Sequence, residues 1–257
     1  MKAPSLLICG NAGILAAKAA EMVAECAKEA IQQRGRFTLV LSGGATPEKT
    51  YKLLAEPAWS TAFDWSKTYI FFGDERFVRS GDVRSNYRMA RNALLIRVPV
   101  PPSQVFPIPT QASAAAEVAA KYAAELARFF SPDADQKAPP RFDLILLGLG
   151  EDGHTASLFP GAPALRADDV WVTWSRPGAL PPPVDRITLT YPVLNAARHV
   201  VFLVSGVKKA AALRDVLEGE ATREDRPAGG VRPTDGTLTW LVDEEAAKLL
   251  QSSRSAP

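Results

Sequence analysis

Short apolar runs of β character alternate with helical segments along the whole chain, and the runs do not alternate polar with apolar. The clearest is residues 142–147, where Leu144, Ile145, Leu146 and Leu147 follow one another without a break. A strand that is apolar on both faces must be covered on both faces, which is the condition of a parallel sheet between helices. The expected strands are Ser5–Cys9, Phe37–Leu41, Thr68–Phe72, 142–147, 170–174, 186–191, 199–205 and 237–242. Helices are expected over 12–33, 47–55, 86–96, 112–130, 207–217 and 244–250. A proline-rich crossing (99–109), a polar linker (131–140), a loop with four prolines (175–185) and a polar loop (218–235) complete the pattern. The expectation is an α/β protein with a doubly wound, mostly parallel sheet, Rossmann-like, forming one main domain over residues 1–257.

Composition narrows the function classes. The 257 residues are 47% apolar, enough for a sizeable core, and the formal net charge is +2. No basic run is longer than Lys208-Lys209, so the basic stripe of a nucleic-acid binder is absent. Cys9 and Cys26 have neither zinc-ligand nor CxxC spacing, which fits a reducing compartment and argues against a disulfide scaffold or a zinc site. Near the start, Leu6-Leu7-Ile8-Cys9 is interrupted by Gly10-Asn11, too short a run for a signal peptide. No stretch approaches the ~20 apolar residues of a spanning helix. The expected protein is soluble and cytoplasmic, with no membrane or nucleic-acid partner; a monomer is favoured, but the sequence does not fix the oligomeric state.

In a doubly wound sheet, ligands bind where loops leave the carboxyl ends of the strands. Four such loops carry unusual residues. Ser42-Gly43-Gly44-Ala45-Thr46-Pro47 joins a strand to a helix; the glycines permit close approach, Thr46 can cap and Pro47 suits the first turn. A phosphate site and an ordinary capped turn remain equally open there. Gly73-Asp74-Glu75-Arg76 offers Asp74 and Arg76 to a polar substrate, although a surface salt bridge is the plainer reading of four residues alone. Gly206-Val207-Lys208-Lys209 places two cations in a first helical turn, against the dipole, where an anionic ligand would relieve the conflict.

The stretch Gly148-Leu149-Gly150-Glu151-Asp152-Gly153-His154 is the most informative. It contains a formal GxGxxG, but only about six residues separate Gly153 from Phe159-Pro160-Gly161, too few for a dinucleotide-binding crossover helix. A glycine-rich turn presenting Asp152 and His154 at the sheet edge explains it better, with imidazole suited to general base work at neutral pH. His199, beside Arg198 at a strand start, reads as structural or exposed.

Together these segments, with Ser85-Asn86-Tyr87, Arg186-Ile187-Thr188-Leu189-Thr190, Thr239-Trp240-Leu241-Val242-Asp243 and the run GLGEDGHTASLFPG over 148–161, resemble the 6-phosphogluconolactonase family. The resemblance implies hydrolysis of 6-phospho-D-glucono-1,5-lactone in the oxidative pentose phosphate pathway, without metal or cofactor. It implies His154 as general base and Gly43, Gly44, Thr46, Arg76, Arg186 and Lys209 as substrate or phosphate contacts. Ser42 and Asp74, in the same loops, are expected beside them, and Asp152, two residues from the imidazole, is expected to orient it, with a cap on the turn as the alternative role. Lys208 remains an alternative to Lys209. Related glucosamine-6-phosphate deaminases share the Asp-Gly-His turn but continue Ile-Ala-Phe-Asn-Glu-Pro, where this chain has Thr155-Ala156-Ser157-Leu158-Phe159-Pro160. A sugar-phosphate-binding regulator without catalysis is a third reading; it would not need His154.

Overall fold

The computed structural model describes residues 3–130 and 138–251; most of the expected polar linker lies outside them. Six strands form one wholly parallel sheet in the order β1-β9-β8-β5-β2-β3: Ser5–Cys9 (β1), Thr237–Asp243 (β9), His199–Val204 (β8), Leu144–Leu147 (β5), Phe37–Leu41 (β2) and Thr68–Phe72 (β3). Every residue of β2 and β5 is buried, as continuous apolar strands require. The chain winds outward from β2 to β3 on one side and from β5 through β8 to β9 on the other. The switch point therefore falls between β2 and β5, and the loops after both strands meet there.

Helices cover the sheet. Helix α1 (Ala12–Arg34) opens on Asn11, whose side chain accepts from the N–H groups of Gly13 and Ile14, and closes on Gly35 at φ 72°. These are a polar N-cap and a left-handed glycine C-cap, and together they explain its span. Helix α2 (Ala45–Leu54) follows β2, and short α3 (Pro57–Ser60) follows α2. The expected helix over 86–96 divides into α4 (Asn86–Ala90) and a π-type turn at Arg91–Leu95. Helix α5 spans Ala115–Phe130. Its Phe129 and Phe130 join Phe71, Phe106 and Phe142 in a cluster of rings with centroids 4.7–5.9 Å apart. Helices α6 (Tyr191–Ala196), α7 (Ala210–Leu217) and α8 (Glu244–Ala247) complete the set.

The expected doubly wound, mostly parallel sheet is therefore present, and a smaller sheet that the sequence did not announce stands beside it. A second, antiparallel sheet of order β4-β7-β6 is built from Asp74–Arg76 (β4), Arg186–Leu189 (β7) and Val172–Ser175 (β6). The segments expected over 170–174 and 186–191 belong here, and the latter ends early because Tyr191 already begins α6. Hydrogen bonds from Gly73 N–H to Leu41 C=O and from Leu189 N–H to Gly73 C=O hold this sheet at the carboxyl end of the first.

Candidate active site

Loops from both sheets converge on a cavity of about 210 Å³, lined by Ser42, Gly43 and Gly44 after β2, Asp74 and Arg76 of β4, Gly150, His154 and Ala156 after β5, and Lys209 after β8, with Asn86 of α4 between them. Helix α2 begins at Ala45, with Gly44 in the capping position at φ 111° and no side-chain cap. Its first amides are left for a ligand or water. Thr46 is therefore the second residue of the helix and not its cap, because the glycine pair turns the chain two residues earlier than a Thr46 cap would. A Cβ at Gly43 would overlap the Asn86 amide, so glycine is needed there for packing.

The turn after β5 is held from several sides. Gly150 N–H donates to His154 C=O at 2.8 Å and Thr155 Oγ1 donates to Gly148 C=O at 2.9 Å. His154 Nδ1 lies 2.6 Å from Asp152 Oδ1, which also accepts from the His154 backbone N–H at 3.1 Å. Burial works to raise the Asp152 pKa, yet the His154 ring and backbone bonds together hold it below the usual carboxylate value. An ionised acceptor on Nδ1 fixes the proton there and leaves Nε2 with a free lone pair. Gly150 is required, since a Cβ would run into the imidazole. The non-glycine Ala156 has φ 47°, a strained conformation of the kind kept at functional sites. The Phe159 ring packs against His154 at 4.8 Å.

Acidic residues brace this wall. Asp74 is buried and accepts from Asn86 Nδ2 at 3.1 Å and from Ser157 Oγ at 2.7 Å, so both of its oxygens are taken. Glu75 accepts from the N–H groups of Arg76, Asn86 and Tyr87 and from Ser85 Oγ. Burial still pushes its pKa up against those four bonds. Ser42 Oγ and Asn86 Oδ1 are buried without a hydrogen-bond partner in the protein. Among the described residues, no group of three or more His, Cys, Asp or Glu is placed to hold a metal ion, and no helix is long and apolar enough to cross a membrane.

The model of the glucosamine-6-phosphate isomerases/6-phosphogluconolactonase family matches residues 11–240. The chain belongs to this family. It is 42% identical over 249 residues to a 6-phosphogluconolactonase of Synechocystis sp., covering 97% of this chain and 99% of that one. A 6-phosphogluconolactonase structure from Trypanosoma cruzi superposes with a TM-score of 0.85 at 31% identity, covering 97% of both chains. A monomeric glucosamine-6-phosphate deaminase also superposes, with a TM-score of 0.78 at 23% identity over 95% of this chain and 99% of that one. That last likeness is one of fold alone.

Of the residues expected at the site, Ser42, Gly43, Gly44, Asp74, Arg76, His154 and Lys209 line the cavity; Thr46, Asp152 and Arg186 do not. Asp152 instead stands behind the imidazole. Arg186 is buried and donates to the carbonyls of Val184 and Pro182 at 2.6 and 2.8 Å. Burial, with Arg76 nearby, pushes its pKa down. Lys209 lines the cavity and Lys208 does not. Asn86 and Ala156 stood in the sequence only as members of the segments Ser85-Asn86-Tyr87 and 148–161, with no role of their own. Asn86 carried a usable signal, as Ser85-Asn86 opens a helix; Ala156 carried none, because positive φ at alanine leaves no trace in composition.

Proposed function

We propose that this chain hydrolyses 6-phospho-D-glucono-1,5-lactone to 6-phospho-D-gluconate in the oxidative pentose phosphate pathway, with His154 as general base. The observation that carries this is the Asp152–His154 pair at 2.6 Å, with His154 on the same cavity wall as Arg76, Lys209 and the Gly43-Gly44 turn. His154 Nε2 takes a proton from water as the water oxygen bonds to the lactone carbonyl carbon. The bond from that carbon to the ring oxygen then breaks, and the proton passes from Nε2 to the ring oxygen. Water is the only co-reactant.

Arg76, Lys209 and the open amides at the start of α2 suit the phosphate dianion. The unpartnered Ser42 Oγ and Asn86 Oδ1 suit sugar hydroxyls. An aldose–ketose isomerase needs a free carboxylate to carry a proton between carbons. Asp74 is the carboxylate lining this cavity, and both its oxygens are engaged, which favours the lactonase. Cys9 and Cys26 are free thiols, in keeping with a cytoplasmic setting; sedimentation at micromolar concentration checks the expected monomer.

The test is a coupled assay with freshly generated 6-phosphogluconolactone, set against unphosphorylated gluconolactone and glucosamine 6-phosphate, each corrected for spontaneous hydrolysis. Preference for the phosphorylated lactone, lost by ~10²–10⁴-fold in kcat for His154→Ala, is expected. Turnover of glucosamine 6-phosphate, or near-native activity of His154→Ala, sinks the proposal.

A further inference from the structure

We propose that Arg226, in the polar loop after α7, is a positioning residue that holds the Asp152-Gly153-His154 turn in its productive geometry. The proposal rests on the role given to His154 above. Arg226 Nη2 and Nε donate to Asp215 Oδ2 at 2.9 and 3.3 Å, and Nη1 donates to the Asp152 carbonyl at 3.4 Å. Its backbone and aliphatic stem lie against Gly153, at φ 84°, where an added Cβ would meet Arg226 Cδ, Cα and Cβ. Two residues on, Ala228 N–H donates to the Gly153 carbonyl at 3.0 Å. The guanidinium thus joins the turn that carries the base to Asp215 of α7, the helix entered directly after Lys209.

The loop around Arg226 is itself anchored. Gly161 N–H donates to the Glu224 carbonyl at 2.9 Å, and Tyr191 Oη donates to the Pro227 carbonyl at 2.8 Å. On this side of the turn lies a cleft of about 700 Å³ that Asp152 and Arg226 line together and His154 does not. Without the arginine, the turn borders open space where it now has a charged strut. A general base contributes only when it is held at the reacting atom, and a shift of ~1 Å can cost ~10²-fold in rate. Arg226 reaches neither the cavity nor the imidazole, so its effect must pass through the backbone of Asp152 and Gly153.

The experiment uses Arg226→Ala, Arg226→Lys and Asp215→Asn in the full chain, with folding checked by thermal melts. Expected for Arg226→Ala is a fall of about 10–100-fold in kcat with KM for the phosphorylated lactone nearly unchanged. Arg226→Lys, which keeps the Asp215 pair but loses the fork, should fall between. The second readout is the downfield proton resonance of His154 Nδ1–H, assigned with a His154→Gln control in a chain of two histidines. It should broaden or vanish in folded Arg226→Ala. If Arg226→Ala does not fold, Asp215→Asn carries the same two measurements. A lowered melting temperature with native kcat and an intact resonance overturns the proposal, as does a loss confined to KM. The resonance needs no substrate, so a chain inactive on the lactone refutes the functional reading and leaves this one separately measurable.

Discussion

Gly150 shows how closely the site is fitted at the scale of single atoms. It is not flexibility that makes it glycine but the imidazole and the Asp152 carboxylate occupying the place of its missing side chain. Gly150→Ala should displace His154 and cost roughly 10²-fold in kcat, with about 1–3 kcal/mol of overpacking penalty in stability. Native turnover in that variant, measured on the phosphorylated lactone, would mean that the ring works from another position. Asp152 makes a complementary prediction through pH. Its folded pKa lies below the unfolded value of ~3.9. The stabilisation from its bonds to His154 is therefore present above about pH 4 and lost as pH falls through the lower, folded value. In thermal melts, wild type should exceed Asp152→Asn in stability at pH 6, and the gap should close as pH drops below ~4. A gap independent of pH would show that the carboxylate's charge does not matter to the turn.

Elements decide which cations can serve the phosphate. Lys209 ends a single 3-10 turn, Val207–Lys209, that leads into α7 after Gly206 at φ 94°, and this brings it to the cavity, which Lys208 does not line. Burial pushes the Lys209 pKa down, while Glu151 and Asp152 pull it up and Lys208 pushes it down again. A bound dianion favours the charged form, so affinity for 6-phosphogluconate should decline with rising pH below the ~10.4 of a free lysine. Lys209→Ala should cost about 1.5–3 kcal/mol, or roughly 10–150-fold, in kcat/KM on the phosphorylated lactone and far less on the unphosphorylated one. Arg186→Ala should behave differently: it frees two carbonyls in the loop before β7, lowering the melting temperature and affecting both lactones alike. Equal losses for Lys209→Ala on the two substrates would remove it from the phosphate site. The contrast between these two cations could not be read from sequence. Both lie beside strand ends, but Arg186 turns inward only because β4, β7 and β6 pair, and strands of three or four residues are too short to show a period. Thr46 was misplaced for a related reason: a glycine cap and a threonine cap two residues apart leave the same composition.

Across the whole molecule, the parallel sheet divides labour between its two ends. The six core strands were legible because buried parallel strands are continuous apolar runs, and the carboxyl-end loops were legible because glycines and charges interrupt those runs abruptly. Strand order and the second sheet were not, since both depend on contacts between segments far apart in the chain. The amino end, which nothing in the sequence marked, holds its own buried charge. Asp143, just before β5, accepts from Thr38 N–H and Oγ1 at 2.8 Å each and from Arg34 Nε at 2.9 Å, with Arg198 Nε at 3.4 Å. It thereby ties β2, the end of α1 and the start of β8 to the central strand. Removing one partner of a buried pair costs about 3–5 kcal/mol. Here Thr38 stays buried while the Arg34 and Arg198 side chains are 27% and 33% exposed and regain water, which puts the cost at the lower end. Asp143→Ala should therefore lower the melting temperature by roughly 10 °C, taking ~2–4 °C per kcal/mol for a chain of this size. Because Asp143 stands at the opposite end of the strands from His154, kcat and KM at 20 °C should stay close to native. The comparison is with Gly150→Ala, which should lose turnover for a smaller fall in melting temperature. If Asp143→Ala lost turnover while still folded, the two ends of the sheet would be coupled, and the carboxyl-end site would depend on the strand register that Asp143 secures.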